Sequence, residues 1–366
     1  MSKEKLSIFT LNKSAGSRFI AQDIDFIILK KTTRLTKWFK KPTLLLLLFT
    51  SNIILASSFP YPEIPGDQLI GDYPEQAVYT HSKHEDTLLD IARNFNLGQN
   101  EILLANPTVD RWLPGEHTKV IIPDTHLLPD SPHKGLTLNL SEFRLYYYPQ
   151  PKTKNQPRIV ITHPISIGRV DWNTPLGKTR IIAKNKNPTW TPPQSIRDEH
   201  AAEGDILPKV FPAGPDNPLG LFALRLAVPG YLIHSTNKPY GVGMRVSHGC
   251  IRMYPEDIEK LFPQIKVGTP VYIVNQPIKV GWSKNLLYIQ VYPDLEGNEH
   301  SFEEKLDIAL DLIEKANNNQ IPLLDGNALK SALQQSNGIP VAIFERSFSP
   351  LIRRAKFMST QWVTKR

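Results

Sequence analysis

Residues 231–253 read YLIHSTNKPYGVGMRVSHGCIRM and contain Cys250, the only cysteine of the 366-residue chain. Two histidines, His234 and His248, lie close to this thiol in the sequence. A thiol becomes a strong nucleophile when a neighbouring histidine takes its proton and a third group orients that histidine. Gly249 permits a tight loop in which the backbone N–H groups of 248–250 can converge on an oxyanion. The stretch therefore favours a cysteine–histidine catalytic site.

Three other interpretations fit the same residues. Cys250 can be an inert buried thiol beside structural histidines. His234, His248 and Cys250 can form a zinc site, although a clear fourth ligand and the usual ligand spacing are missing. A redox switch is the third alternative, but the chain has no second cysteine to resolve it.

The segments on both sides of this stretch have the pattern of a β domain. Strand-length apolar runs alternate or are rich in β-branched residues, and Pro, Gly or Asn bounds them. These runs are 135–140, 143–147, 159–162, 179–182, 221–226 and 271–274. A single short helix is predicted over 255–262, with Pro255 at its start. Residues 134–275 therefore predict a mainly β domain, either a sandwich or a curled sheet.

Two further folded segments flank this domain. Residues 77–123 predict the order strand, helix, helix, strand, with Asp86 and Asn100 as the helix N-caps. The four predicted elements are 77–80, 86–95, 101–105 and 119–122. Residues 276–366 predict one strand at 286–291 and helices at 302–315 and 327–335, which we expect to form a helical extension packed on the β domain. Residues 59–76 are rich in Pro and Gly and predict a linker.

The net charge of +8 first suggests a nucleic-acid partner. Residues 1–58, however, carry ten Lys or Arg and three Asp or Glu, so the rest of the chain has a net charge of +1. Within this leader a basic stretch at 34–41 precedes an apolar run and the small residues 56–58, which is typical of a secretory signal. The alternative is an uncleaved membrane anchor over 42–56. We therefore expect no nucleic-acid partner, a leader that contacts the membrane, and a body outside the cytoplasm.

Several motifs together resemble the L,D-transpeptidase catalytic domain, the YkuD family. They are S-H-G-C-I-R at 247–252, H-S-T-N at 234–237, T-P-L-G-K-T at 174–179 and I-G-R at 167–169. Ser235 departs from the pattern, because many members have Gly there. Residues 77–123, with DTLLDIARNF at 86–95 and ILLANP at 102–107, resemble a LysM module, although His84-Glu85-Asp86 replaces its usual Gly-Asp.

The resemblance assigns roles to the residues of the motifs. Cys250 is the expected nucleophile, His234 its general base, and the Ser235 carbonyl the group that orients the base. His248 and Gly249 are expected to shape the oxyanion hole and the cysteine loop. Expected substrate contacts are Arg252 for a carboxylate, Ser247 through the loop, Tyr231, Asn237 and Trp190 along a peptide groove, and Arg245 as a second carboxylate contact or a solvated charge. The LysM likeness implies glycan contacts at Asp86, Thr87, Asn106 and Pro107.

The resemblance also implies a reaction. Family enzymes attack the L-configured link before the terminal D-Ala of a peptidoglycan tetrapeptide stem, form a thioester and pass it to an amine. The amine belongs to diaminopimelate of another stem, which gives a 3→3 cross-link, or to the terminal lysine of an envelope lipoprotein. We expect no cofactor and no metal, and a periplasmic location. An L,D-carboxypeptidase or amidase on the same fold and a non-enzymatic wall-binding protein remain alternatives.

Overall fold

The computed structural model describes residues 57–71 and 78–346. The predicted leader up to residue 56, the end of the predicted linker and the basic C-terminal end lie outside these residues. Within the described ranges, none of the helices combines the length and apolar character that a membrane crossing requires.

The N-terminal described part contains short strands and two helices. These are β1 (Ser57–Pro60), β2 (Leu69–Ile70), β3 (Tyr79–His81), α1 (Leu88–Asn94), α2 (Gln99–Ala105), β4 (Lys119–Ile121) and β5 (His126–Leu127). Strands β3 and β4 pair antiparallel around the two helices, which gives the predicted strand–helix–helix–strand order. We call the segment from β3 to β4 the βααβ module. Its helices begin differently from the prediction, because Thr87 caps α1 through a reciprocal pair with Asp90, and Gly98 precedes α2.

The segment predicted as a linker is partly bound to the sheets. Strand β1 pairs antiparallel with residues 159–162, and β2 pairs with β5. Pro60 is tolerated because β1 is an edge strand of its sheet, where a missing N–H need not interrupt a ladder. Pro and Gly in this segment therefore mark the ends of short strands as well as turns.

The central part is the predicted mainly β domain. Its elements are β6 (Gly135–Asn139), β7 (Arg144–Tyr148), β8 (Ile159–Gly168), β9 (Gly177–Lys186), α3 (Gln194–Ala202), β10 (Phe222–Leu226), β11 (Leu232–His234), β12 (Arg245–Ser247), β13 (Ile251–Met253), α4 (Pro255–Leu261) and β14 (Pro270–Val274). Within the described residues, ten strands form one sheet in the order β1-β8-β13-β11-β10-β9-β14-β6-β7, with β12 beside β8. Because β7 also pairs with β8, the sheet curls until it closes on itself. Its interior is filled by apolar side chains such as Leu138, Ile165, Leu224, Ile251 and Ile273.

Helix α3 was not predicted. It lies in the insertion of residues 187–221 between β9 and β10, and Ile196 is its one buried residue. With so little apolar surface to bury, its sequence lacks the 3.6-residue hydrophobic period that identifies a helix. Polar contacts to the rest of the domain hold it instead, as described below.

The C-terminal part differs from the predicted helical extension. It contains β15 (Ile278–Ser283), β16 (Leu286–Val291), α5 (Phe302–Ala316), α6 (Gly326–Gln335) and β17 (Val341–Glu345). The three strands form an antiparallel sheet, and both helices pack on it around a core that includes Leu287, Ala309 and Leu333. Both helices and β16 agree with the prediction. Strands β15 and β17 were missed, so this part is a small α/β unit.

Two buried ion pairs join these parts. Arg144 of β7 donates two hydrogen bonds, of 2.7 and 2.8 Å, to the Glu101 carboxylate of the βααβ module. Lys279 of β15 lies 2.6 Å from Glu142. All described residues belong to one compact unit. Since an unpaired charge in these positions would be costly, each pair favours one arrangement of its neighbours.

Candidate active site

The predicted nucleophile and base are brought together by two neighbouring strands. Strands β11 and β13 run parallel, and His234 pairs with Arg252 in their register. Cys250 immediately precedes β13, so its side chain lies on the same face of the sheet as Arg252, two residues further on. All three side chains line one cleft with a volume of about 1290 Å³.

His234 is buried and held in one tautomer. Its Nδ1 lies 2.6 Å from the backbone carbonyl oxygen of Ser235. A carbonyl can only accept a hydrogen bond, so Nδ1 carries the proton and Nε2 is left as an acceptor. Burial, together with the nearby charge of Arg252, lowers the pKa of His234 to about 3. The imidazole is therefore neutral at physiological pH, as a general base must be.

Cys250 is a protonated thiol in this environment. Burial raises its pKa, although the backbone N–H of Leu232 and the charge of Arg252 oppose the shift. Its Sγ lies 3.5 Å from the carbonyl oxygen of Gly230. A neutral thiol and a neutral imidazole line the same cleft, so an attack by this thiol would require its proton to move during the attack.

Arg252 is a largely buried cation without a counter-ion. Its Nε has no hydrogen-bond partner, and its guanidinium forms no ion pair with any described residue. Burial lowers its pKa, because the charged form is largely removed from water. A guanidinium in this condition is suited to a bidentate pair with a carboxylate that enters the cleft.

The cysteine loop is fixed by small residues and hydroxyl groups. Gly249 has a φ of 95°, and a Cβ there would approach the ring of Tyr231 to 2.7 Å. The Thr174 hydroxyl accepts from Gly168 N–H at 3.0 Å and donates to the Gly249 carbonyl at 2.9 Å.

Ser247 Oγ donates to the Cys250 carbonyl, in agreement with its expected loop role. The sequence indicated Thr174 only as the first residue of the T-P-L-G-K-T segment, and the structure shows that its hydroxyl holds the cysteine loop.

His248 is clamped by residues that the sequence did not single out. Its Nε2 lies 3.0 Å from Glu199 of α3, and Trp172 packs edge-on against its ring at 5.2 Å. The other oxygen of Glu199 accepts a 2.7 Å hydrogen bond from Arg169. That bond is the main cause of the lowered pKa of Glu199. Because α3 has no amphipathic signal, nothing in the sequence indicated Glu199.

Of the four remaining residues predicted to contact substrate, three line the cleft and one is bonded to other parts of the protein. Trp190, Tyr231 and Asn237 line the same cleft as His234 and Cys250. The guanidinium of Arg245 instead donates to the Gly168 carbonyl, the Asn173 side chain and the Glu296 carbonyl. The prediction of a second carboxylate contact at Arg245 is therefore corrected: the side chain braces the loop that carries Asn173.

Three of the four residues predicted to contact a glycan make hydrogen bonds within the module itself. Thr87 caps α1, and the Asp86 carboxylate accepts from the backbone of Lys83. Asn106 is buried, and its amide bonds to backbone groups of Ile102 and Ile121, so its predicted role as a contact is corrected to a structural one. Pro107 is exposed, and its contact remains a prediction. Different module residues reach the catalytic cleft: Leu89, Gln99, Arg111 and Trp112.

A search of the described residues for three or more His, Cys, Asp or Glu side chains placed to share a metal ion finds no such group. His234 and His248 have separate partners, the Ser235 carbonyl and Glu199. The zinc arrangement considered from the sequence is therefore not formed by these side chains.

Comparison with known proteins adds an independent finding. Residues 133–273 match the model of the YkuD family, the L,D-transpeptidase catalytic domain. The chain is 36% identical over 323 residues to "Probable L,D-transpeptidase YcfS" of Escherichia coli K12, covering 87% of this chain and 98% of that protein. It is 36% identical over 292 residues to "Probable L,D-transpeptidase YbiS" of the same strain, covering 79% and 93%. A solved L,D-transpeptidase from Mycobacterium smegmatis aligns with a TM-score of 0.27 and 19% identity, over 38% of this chain and 57% of that one.

Proposed function

The chain belongs to the L,D-transpeptidase family with the YkuD catalytic domain, and from this premise we propose that it acts on peptidoglycan through a Cys250 thioester. The observation that carries the proposal is the neutral His234, fixed on the Ser235 carbonyl and sharing one sheet face with Cys250 and the unpaired Arg252. The donor is the tetrapeptide stem, whose terminal D-Ala leaves.

The first half of the reaction acylates the enzyme. The D-Ala carboxylate pairs with Arg252 and brings the preceding carbonyl over Cys250. His234 Nε2 takes the thiol proton while Sγ attacks that carbonyl, and backbone N–H groups of 248–250 stabilise the oxyanion. The intermediate collapses, the C–N bond breaks, and the proton on His234 passes to the departing D-Ala amine. A thioester between Cys250 and the shortened stem remains.

The second half transfers the acyl group. An acceptor amine attacks the thioester carbonyl, a C–N bond forms and the C–S bond breaks. His234 takes the proton of the amine and returns one to the thiolate. We propose that the acceptor is diaminopimelate of a second stem or the C-terminal lysine of an envelope lipoprotein. The secretory pattern in residues 34–58 supports placing this reaction in the periplasm.

The test is incubation of the full chain with tetrapeptide stems, with and without a lysine-terminated peptide, followed by mass spectrometry of the products. We expect free D-Ala and a tripeptide joined to an acceptor, and neither product from Cys250→Ala. Free tripeptide with no joined product at saturating acceptor would identify a carboxypeptidase instead. Full activity of Cys250→Ala would exclude both enzymatic assignments and leave a wall-binding protein.

A further inference from the structure

The outer wall of the catalytic cleft is built by the βααβ module. Leu89, Gln99, Arg111 and Trp112 line the cleft that contains Cys250 and Arg252. At about 1290 Å³ the cleft exceeds the roughly 300–1,000 Å³ of a pocket for one small ligand. There is room in it for the ends of two peptides.

This wall is held firmly against the catalytic domain. Besides the buried Glu101–Arg144 pair, Gln99 N–H donates to the Val242 carbonyl at 2.9 Å. A Cβ at Gly243 would approach Gln99 N to 2.3 Å, so the two backbones are in direct contact. The module is therefore a fixed part of the cleft and not a domain on a flexible tether.

The loop that carries Arg111 and Trp112 is also fixed. One oxygen of Asp110 accepts the N–H groups of Trp112 and Leu113 at 2.8 Å each. The Arg111 carbonyl accepts from Leu88 N–H at 2.9 Å. With the backbone held in this way, the indole of Trp112 remains 56% exposed at the cleft.

Arg111 offers a second guanidinium, on a different wall from Arg252. It forms no ion pair with any described residue. The side-chain amide of Gln99 is buried, and in one of its two orientations both its oxygen and its nitrogen have hydrogen-bond partners. In that orientation the oxygen accepts from Arg111 at 3.2 Å and the nitrogen donates to the Tyr240 carbonyl at 3.3 Å. The Arg111 side chain is thus oriented by a neighbour that leaves its charge uncompensated.

We propose that Arg111 and Trp112 form the subsite for the acyl acceptor, by binding the carboxylate that lies on the same residue as the attacking amine. This rests on the proposed function, in which Arg252 is occupied by the donor. Both proposed acceptors share the required chemistry, since the diaminopimelate amine and the C-terminal lysine amine each belong to a residue with a free carboxylate. Arg111 pairs with that carboxylate, and the indole covers the aliphatic chain of the same acceptor residue.

The test compares Arg111→Ala with Lys83→Ala, which removes the same charge from an exposed position of the module outside the cleft. The tetrapeptide donor is kept saturating while the concentration of a lysine-terminated peptide or of meso-diaminopimelate is varied, each as the free acid and as the carboxamide.

We expect Arg111→Ala to raise KM for the free acid about 10-fold, a typical effect of losing one charged hydrogen bond. Initial D-Ala release and the carboxamide reaction should not change, and Lys83→Ala should match wild type. Trp112→Ala should raise the same KM with either acceptor form.

Three results would overturn the proposal. The first is an unchanged KM for the acid acceptors in Arg111→Ala. The second is a wild-type enzyme that uses the acid and the carboxamide acceptors equally well. The third is slower initial D-Ala release by Arg111→Ala with a normal dependence on acceptor concentration, which would place Arg111 in the binding site for the donor stem. A wild-type enzyme that releases no D-Ala at all would instead refute the proposed function, so the two failures are distinguishable.

Discussion

The Nδ1 of His234 and the carbonyl oxygen of Ser235 lie 2.6 Å apart, inside the catalytic domain. In the proposed mechanism, this contact gives one backbone carbonyl the role that a carboxylate has in other catalytic triads. A carbonyl orients the ring without adding a negative charge. The pKa of His234 therefore stays low, near 3, because burial and Arg252 are not offset by an anion.

The first prediction concerns the base itself. In His234→Gln no group can take the thiol proton, so the acylation rate should fall by about 100- to 10,000-fold, the usual contribution of general-base catalysis. The rate of D-Ala release from tetrapeptide measures this loss. Retention of more than a tenth of the wild-type rate would show that another group accepts the proton.

The second prediction concerns pH. Because the pKa of His234 is lowered to about 3 and that of Cys250 is raised, the neutral pair persists across the neutral range. Acylation kcat/KM should be flat from about pH 5 to pH 8 and fall only as the pH drops toward the pKa of His234. Measured pH profiles with a tetrapeptide donor check this. An acid limb near the ordinary histidine pKa of about 6.5 would contradict the neutral pair.

The third prediction concerns Arg252. Arg252→Met removes the group that pairs with the D-Ala carboxylate, so kcat/KM for the tetrapeptide should fall about 10- to 100-fold. A donor with an amidated terminal carboxyl should react equally with both proteins. Thermal unfolding should show that Arg252→Met is at least as stable as wild type, because a buried cation without a counter-ion is removed. A clear loss of stability would show that Arg252 has a partner in the free protein.

The fourth prediction concerns Glu199. Glu199→Gln weakens the clamp on His248 and should lower kcat by about 3- to 10-fold, the effect of one hydrogen bond, without changing KM for the donor. Asp198→Asn is the matched control, since Asp198 lies on the same helix and contacts Gln194. Equal losses in both variants would mean that the helix, and not the carboxylate, is what matters.

The fifth prediction concerns Thr174. Thr174→Val leaves the Gly168 N–H and the Gly249 carbonyl unpaired, so unfolding free energy should fall by about 1–3 kcal/mol and acylation should slow. Thr174→Ser keeps the hydroxyl and should restore most of both losses. Denaturant unfolding and D-Ala release measure the two effects. If Thr174→Ser restored neither the stability nor the acylation rate, the methyl group of Thr174 and not its hydroxyl would be responsible for both.

The sequence predicted the mainly β domain well, because strand alternation is a local signal. The roles of the motif residues stay a prediction, although the motif is local as well. Cys250, His234 and Ser235 occur within twenty residues of one another, and β11 and β13 bring them together. The strand–helix–helix–strand order of the module and the helices α5 and α6 were also predicted, since their apolar residues recur at helical spacing, although the predicted caps of α1 and α2 were wrong.

The rest depended on contacts between distant segments. Glu199 reaches His248 from a helix with almost no apolar face, and Arg111 reaches the cleft only because the module docks beside Val242. Asn106 and Arg245 had residue types suited to ligand contact, but their side chains bond within the protein. Whether a polar side chain is already satisfied is a property of the fold, and no local pattern reports it.

The central claim is that Cys250 becomes acylated with His234 as its base, and intact-mass measurement after incubation with a carbapenem tests it most directly. We predict one covalent adduct per chain on wild type, none on Cys250→Ala, and strongly slowed formation on His234→Gln. An adduct of equal yield on Cys250→Ala, or equal rates for wild type and His234→Gln, would contradict the account.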